Sequence, residues 1–218
     1  MHCCSKIICD GCLYAEGLRQ HRQNVQDKKC PFCRQSITLT QEDTNKNLMK
    51  RVAANDPVAI RKIGVCHFHK EEYDKAFEYL TKAAELGDTT AHYNLSRLYS
   101  EGHGVEKDEE MMLFHLEEAA IAGHPRARNN LGCHEGDNGR TDRAVKHLII
   151  AANLGLDESL KTLKDLYKVG TITKDVFAAV LRGHYAAVDA TKSEQRKEVE
   201  KAKNEVKIAK YGQTSREG

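Results

Sequence analysis

The chain has 218 residues, of which 40% are apolar and 30% charged, and its 34 basic and 32 acidic residues leave a net charge of +2. This balance is too even for charge alone to indicate nucleic-acid binding. No run of 18 or more apolar residues is present, which argues against a membrane-spanning segment. The start MHCCSKIICDGC lacks the basic flank and the cysteine-free apolar run of a secretory signal. We therefore expect a reducing, cytoplasmic location.

Six of the eight cysteines fall in residues 1–36 and predict a zinc-binding head. They form two C-x2-C pairs, separated by 17 residues, and one adjacent pair. A C-x2-C pair presents two thiolates to one tetrahedral ion, and in a reducing compartment such pairs indicate metal ligands before disulfides. The candidate ligands are Cys3, Cys4, Cys9, Cys12, Cys30 and Cys33. In the simplest arrangement, one zinc is held by the two C-x2-C pairs.

The stretch CCSKIICDGC followed by CPFCR resembles the C-terminal part of a RING finger. The resemblance implies two zinc ions with interleaved ligands: Cys3 and Cys4 would be the third and fourth, and the two C-x2-C pairs the last four. It also implies that Pro31 and Arg34 contact a ubiquitin-conjugating enzyme. The first cysteine pair of the RING pattern is missing, so we expect either a fragment of a longer chain or a degenerate finger. A RING ligase positions another enzyme's thioester, so no catalytic residue is predicted.

Residues 37–55 are predicted to be a linker that turns helical from about Asp43. Leu48, Met49 and Val52 would lie on one side of this helix and cover the first repeat.

Three segments of the body repeat one another: YLTKAAELG (79–87), HLEEAAIAG (115–123) and HLIIAANLG (147–155). The small alanine pairs predict close helix packing, and each glycine is expected to end its helix. The predicted structural residues of the repeats are Ala83, Ala84, Gly87, Ala119, Ala120, Gly123, Ala151, Ala152 and Gly155.

A second periodic set consists of Ala59, Ala91, Ala127 and, more weakly, Ser159, at steps of 32, 36 and 32 residues. Each alanine pair precedes the next member of this set by eight residues, so the four extra residues of repeat two must lie between its two helices. This places an insertion near 100–108, where Gly102 and Gly104 favour a loop.

The pattern Ala-x3-Leu-Gly, Gly-x-Gly-Val-x2-Asp, Lys-Ala and Ala-Ala-x2-Gly resembles the Sel-1-like branch of the tetratricopeptide superfamily. Repeat two has the fullest loop match, in Gly102, Gly104, Val105 and Asp108. The resemblance implies a mainly α fold, a right-handed α-solenoid of antiparallel helix pairs. The repeats would span 56–182, as 56–87, 88–123, 124–155 and a degenerate 156–182.

Other residues receive structural rather than chemical assignments. The three glycines of GCHEGDNGRTD (132–142) predict a short or frayed first helix in repeat three. Cys66 and Cys133 are expected to be buried small hydrophobes. His115 and His147 align with Tyr79 and are expected to pack at that shared position.

Residues 183–218 are predicted to form a charged C-terminal helix and tail. Val199, Ala202, Val206 and Ala209 recur at three- and four-residue spacing, which is compatible with a weakly docked helix, a solvated helix or a dimer seam.

Families with such repeats are typically scaffolds, so a protein or peptide partner in the repeat groove is the first functional hypothesis. The alternative is a subunit of ubiquitin transfer, in which the repeats select the substrate and the head recruits the conjugating enzyme.

Overall fold

The computed structural model of the protein describes residues 41–190, apart from the side chains of residues 41, 43 and 44. The chain divides into two compact units, Met49–Asp189 and a second made of Met1–Leu48 with Ala190–Gly218. The described helices, in chain order, are α1 Gln41–Ala53, α2 Pro57–His69, α3 Tyr73–Glu85, α4 Thr89–Glu101, α5 Glu109–Ile121, α6 Pro125–Asp137, α7 Thr141–Asn153, α8 Asp157–Lys168 and α9 Lys174–Ala190. None of these helices is long and apolar enough to cross a membrane.

The helices form consecutive pairs, in which α2 packs on α3, α4 on α5 and α6 on α7, and each pair packs on the next. Residues 70–72 and 138–140 join the helices of pairs one and three, whereas residues 102–108 join those of pair two. The loop of pair two is thus four residues longer, which confirms the predicted position of the insertion.

Loop 102–108 packs back on the first repeat. The His103 ring stacks on the Tyr73 ring at 4.2 Å between centroids, and Val105 contacts the first hydrophobic cluster. Gly104 has a φ of +71°, and a Cβ on it would lie 2.6 Å from the Tyr73 carbonyl carbon and oxygen. Only glycine fits a left-handed conformation this close to another backbone.

Small residues form the centre of the stack. Ala59, Ala91, Ala127 and Ser159 are fully buried at equivalent positions of the four first helices. The alanine pairs of α3, α5 and α7 are buried as well. Without large side chains at these points, the backbones of neighbouring helices approach closely, and the leucines Leu80, Leu95, Leu116, Leu131, Leu148 and Leu163 fill the space between them.

Helix ends follow local sequence signals. Asp56 caps α2 by accepting hydrogen bonds from the amides of Val58 and Ala59, and Asp88 caps α4 through the amide of Ala91. Gly87, Gly123 and Gly155 follow the second helices with φ values of +84°, +83° and +86°. The repeated end signals keep the lengths of the pairs uniform.

The prediction of a short first helix in repeat three is wrong, because α6 is 13 residues long, the same length as α2 and α4. Its glycines permit close packing: a Cβ on Gly132 would lie 3.0 Å from Leu148 Cγ. Glu135, which is buried, forms ion pairs with Arg140 and Arg143 of the following turn and helix. Tertiary contacts therefore outweigh the weak helix propensity of this segment.

The predicted burial of Cys66 and Cys133 is also wrong, since both are exposed. Cys66 lies two residues after the buried Gly64, and Cys133 lies one residue after the buried Gly132. The helix rotates by about 200° over two residues and about 100° over one, which turns each cysteine away from the neighbouring pair. Met49, predicted to cover the first repeat, is exposed, while Val52 packs on the first cluster.

The last described helix continues to Ala190, past the predicted repeat boundary at 182. His184 stands where the other repeats have the alanine pair and is 2% exposed. Its Nδ1 lies 2.8 Å from the Ala152 carbonyl oxygen and its Nε2 lies 3.0 Å from Asp157 Oδ1. A polar anchor thus joins the fourth pair to the third. The predicted seam beyond residue 190 lies outside the described residues.

Candidate protein-binding cleft

A cleft of about 350 Å³ opens between the neighbouring first helices α4 and α6. Its walls come from one face of each of these helices and its floor from α5. The lining residues are Tyr93, Ser96, Arg97, Ser100, Glu101, Met112, Leu116, Asn130, Cys133, His134 and Asp137. Spacings of three and four residues place the wall residues of each helix on one face.

The floor of the cleft is mainly apolar. Leu116 is almost fully buried, and Met112 is half-buried and packs against the second hydrophobic cluster. Ser96 is buried and uses its hydroxyl to donate to the Tyr93 carbonyl oxygen at 2.8 Å. The Ser96 hydroxyl, on the α4 wall, is therefore occupied internally, and the apolar surface that the floor offers to a ligand comes mainly from Met112.

Arg97 is held in place on the α4 wall by two contacts. Its Nη2 lies 3.3 Å from Glu101 Oε1, and its guanidinium carbon lies 5.4 Å from the centre of the Phe68 ring. Cation–π stacking and one carboxylate use only part of the guanidinium's five donors. Arg97 can therefore still donate to a carboxylate or backbone carbonyl in the cleft.

The Tyr93 ring at the same wall is stacked on His124, with 4.5 Å between ring centroids. His124 itself caps α6, since its Nδ1 accepts from the Ala127 amide at 3.3 Å. Burial lowers the pKa of His124, which favours the neutral ring needed to accept this hydrogen bond. The cap of the next repeat thus orients an aromatic wall of the cleft.

The α6 wall carries a thiol, an imidazole, an amide and a carboxylate. Cys133 is exposed as a residue, but partial desolvation of its thiol, followed by the nearby carboxylates of Asp137 and Glu158, raises the pKa of that thiol. A thiol held in its neutral form is a poor nucleophile. The Nδ1 atom of His134 lies 3.8 Å from Oε1 of Glu109, the first residue of α5. This wall is therefore suited to hydrogen bonding rather than to covalent chemistry.

His115 and His92 meet behind the cleft, with 3.0 Å between their Nδ1 atoms, and the His115 ring stacks on Tyr99. His115 is 9% exposed, and burial, followed by the nearby His92, lowers its pKa to about 4. Because the folded-state pKa lies below the unfolded value, the unfolded chain takes up the proton first. Stability contributed by neutral His115 is present above pH 6.5 and is lost as the pH falls toward 4.

The His115→Tyr substitution, which restores the residue of repeat one, should reduce this acid sensitivity. Between about pH 7.5 and pH 5 the wild-type protein should lose about 1–2 kcal/mol more unfolding free energy than the variant. Urea titrations followed by circular dichroism at both pH values measure the difference. If both proteins lost the same unfolding free energy between these pH values, His115 would not be the cause of the acid sensitivity.

Within residues 41–190, no group of three or more His, Cys, Asp or Glu side chains is arranged to hold a metal ion. The predicted zinc ligands, and with them Pro31 and Arg34, lie outside the described residues. Among the described residues, the cleft combines a mainly apolar floor with polar walls.

The cleft residues were not predicted individually. The residues lie on the cleft-facing side of helices whose opposite side carries the repeat pattern; they are Tyr93, Arg97, Asn130 and His134. The only sequence signal for them is their position on the polar side of the first helices α4 and α6, of which only α4 adjoins the insertion.

The paired helices and the cleft define a mainly α helical-repeat solenoid. The Sel1 repeat family model matches residues 57–88, 89–124 and 125–156, so these residues form three Sel1 repeats. Each match begins one residue after the predicted boundary, because the prediction began each repeat at the cap that precedes the helix.

Solved structures support the same fold. A Sel1 repeat protein from Oxalobacter formigenes matches with a TM-score of 0.53 and 25% identity, over 66% of this chain and 62% of that one. The c5321 protein, a protective antigen of uropathogenic Escherichia coli strains with an SLR fold, matches with a TM-score of 0.54 and 28% identity, over 67% of this chain and 33% of that one.

Among curated proteins, HcpC of Helicobacter pylori (strain J99), which carries the term beta-lactamase in its name, is 33% identical over 57 residues. These residues are 26% of this chain and 20% of HcpC. The chain thus spans less than two thirds of each of these three relatives.

Proposed function

We propose that this chain is a protein-interaction scaffold whose α4–α6 cleft binds a segment of a partner protein. The observation that carries the proposal is the cleft itself, because it combines an apolar floor with donors and acceptors on both walls. An apolar partner side chain would contact Met112 and Leu116. The partner's backbone or acidic groups would accept from Arg97 or Asn130. The stack is proposed to have the right-handed sense typical of tetratricopeptide-like repeats.

Filling the cleft should weaken binding strongly without unfolding the array. Ser100 is exposed on the α4 wall, so Ser100→Trp places an indole over the opening. Lys168→Trp is the matched control, because Lys168 is the exposed equivalent of Ser100 on α8 and lies outside the cleft. Peptides selected from a displayed random library against the wild-type chain should bind Lys168→Trp equally and Ser100→Trp at least about tenfold more weakly.

Circular dichroism and thermal melts establish that both variants are folded. Selected peptides that bind Ser100→Trp as tightly as the wild type would place recognition elsewhere and refute the cleft. Failure of the library to yield any binder would count against peptide recognition altogether.

A second function, in ubiquitin transfer, is favoured by the cysteine pairs of residues 1–36. Two C-x2-C pairs separated by 17 residues support a zinc-binding head, and Pro31 and Arg34 occupy the positions that resemble conjugating-enzyme contacts of RING fingers. In this proposal the repeats choose the substrate, the head recruits a ubiquitin-conjugating enzyme, and both work in the cytoplasm.

Zinc content separates the two arrangements of the head. The full chain, purified without chelator, should contain about one zinc per chain if Cys9, Cys12, Cys30 and Cys33 form one site, and about two if a RING-like site is complete. Mass spectrometry of the metal measures this number. A Cys30→Ser/Cys33→Ser variant should lose the single ion in the first arrangement and one of the two ions in the second, and a metal-free wild-type chain would contradict the zinc-binding head.

A further inference from the structure

The outer face of α5 carries two large apolar side chains that nothing covers in the described structure. Phe114 is 49% exposed and Ile121 is 74% exposed. They are seven residues apart, which is two helical turns, so they lie on the same side of the helix. Contiguous exposed apolar surface marks interaction sites, whereas apolar residues scattered singly are ordinary.

The same side of α5 is strongly acidic. Glu110, Glu117 and Glu118 are exposed, and within residues 41–190 none of the three forms an ion pair. The helix contains no lysine or arginine. Its one histidine, His115, is buried and has its pKa lowered to about 4, so it carries no charge at neutral pH. The apolar stripe is therefore flanked by negative charge that no basic residue of its own helix compensates.

Repeat two differs in this respect from its neighbours. The positions equivalent to Phe114 and Ile121 hold Glu78 and Glu85 on α3, and Lys146 and Asn153 on α7. All four of these side chains are exposed. The equivalent of Glu118 on α3 is a lysine, Lys82. The α3 positions equivalent to Phe114 and Ile121 are thus hydrophilic, and so are those of α7, although α7 exposes Ile150 at the position equivalent to Glu118. The apolar pair of α5 is therefore not a feature of every repeat.

The α5 face points away from the cleft. Met112 and Leu116, which form the cleft floor, each lie two residues from Phe114 and are therefore rotated by about 200° around the helix axis. A partner on the outer face would not compete for the cleft.

We propose that the outer face of α5, formed by Phe114, Ile121 and the flanking glutamates, binds a basic amphipathic helix of a second protein partner. The apolar side of that helix covers Phe114 and Ile121, and its lysines or arginines lie over Glu110, Glu117 and Glu118. Charge complementarity selects the partner, and apolar contact supplies most of the affinity. This site goes beyond the proposed cleft and makes the protein a scaffold with two faces.

The test uses the full chain and a fluorescein-labelled helical peptide of about 18 residues, with leucines at three- and four-residue spacing and lysines elsewhere. Fluorescence anisotropy should show binding that weakens as salt is raised. A Phe114→Ser/Ile121→Ser variant should bind about tenfold more weakly. Ile150→Ser is the matched control, because Ile150 is an exposed isoleucine on α7 and should leave binding unchanged.

Further arms separate this site from the alternatives. Glu117→Lys/Glu118→Lys should weaken the lysine peptide and strengthen an otherwise identical glutamate peptide, whereas Ser100→Trp should affect neither. The proposal is overturned if the lysine peptide does not bind, if it binds the Phe114→Ser/Ile121→Ser variant as tightly as the wild type, or if the glutamate peptide binds the wild type equally well. A dimer of the wild-type chain in sedimentation, lost in that variant, would overturn it in favour of a second copy.

Discussion

Leu95→Ala is expected to lower the unfolding free energy of the array by about 3 kcal/mol. Leu95 is 1% exposed at the centre of the first hydrophobic cluster and lies one turn after Ala91 on α4. The substitution removes buried methyl groups and leaves a cavity between α2–α3 and α4, because the surrounding helices relax only in part. Urea unfolding followed by far-ultraviolet circular dichroism measures the change.

Leu86→Ala is the control for this substitution, since the same chemical change occurs at an exposed position after α3. It should cost less than about 1 kcal/mol. Repeat arrays can unfold in parts, so coincidence of the circular dichroism and tyrosine fluorescence transitions must be checked before the two values are compared. Similar losses for Leu95→Ala and Leu86→Ala would contradict the packing described for the core.

The second large effect is expected for Gly104→Ala, which should destabilise the protein by about 2–4 kcal/mol. The residue has a φ of +71°, and the new Cβ would lie 2.6 Å from the Tyr73 carbonyl. A backbone group cannot move aside as a flexible side chain can. The loop 102–108 should therefore detach from repeat one, with loss of the His103–Tyr73 stack. Differential scanning calorimetry and hydrogen exchange of loop 102–108 would both report the change.

Gly139→Ala separates the steric cost from the conformational cost. Its φ of +73° matches that of Gly104, but a Cβ there meets nothing within 4 Å. This variant should lose only the roughly 1–2 kcal/mol of a left-handed alanine. If the two variants were equally destabilised, the close approach of Gly104 to Tyr73 would not be the reason for the glycine.

The repeat architecture could be predicted because packing constrains it at every period. Helix backbones meet at Ala83, Ala119 and Ala151, and only small side chains fit there. The insertion could be placed to within a few residues because each alanine pair precedes the next buried small residue by a constant eight residues. The four extra residues must therefore lie between the two helices of repeat two. Caps such as Asp56 act through neighbouring amides, so the sequence alone specifies them.

The errors arose where tertiary contacts override local preference. The glycines of α6 suggested a frayed helix, yet Gly132 lets Leu148 pack directly against the backbone. The sequence predicts that Cys133 is buried as a small apolar residue, but whether its side chain is buried depends on which side of α6 packs against α7. The cleft residues Arg97 and His134 satisfy no packing rule, so no periodic signal identifies them.

The cleft and the α5 face lie on opposite sides of one repeat junction. The insertion at 102–108 fixes the position of α4 and α5 against repeat one through Tyr73 and Val105. The two proposed binding surfaces would then be held at a constant geometry relative to each other.

Site-specific photocrosslinking tests the central claim, that the α4–α6 cleft holds a partner protein, most directly. A small alkyl-diazirine amino acid introduced at Ser100 and, in a separate protein, at Lys168 reports what contacts each position in living cells, and it does not fill the cleft as the indole of Ser100→Trp does. We predict discrete protein adducts from position 100 that are absent from position 168. Adducts that are the same from both positions, or that are missing from position 100, would contradict the assignment of the cleft as the binding site.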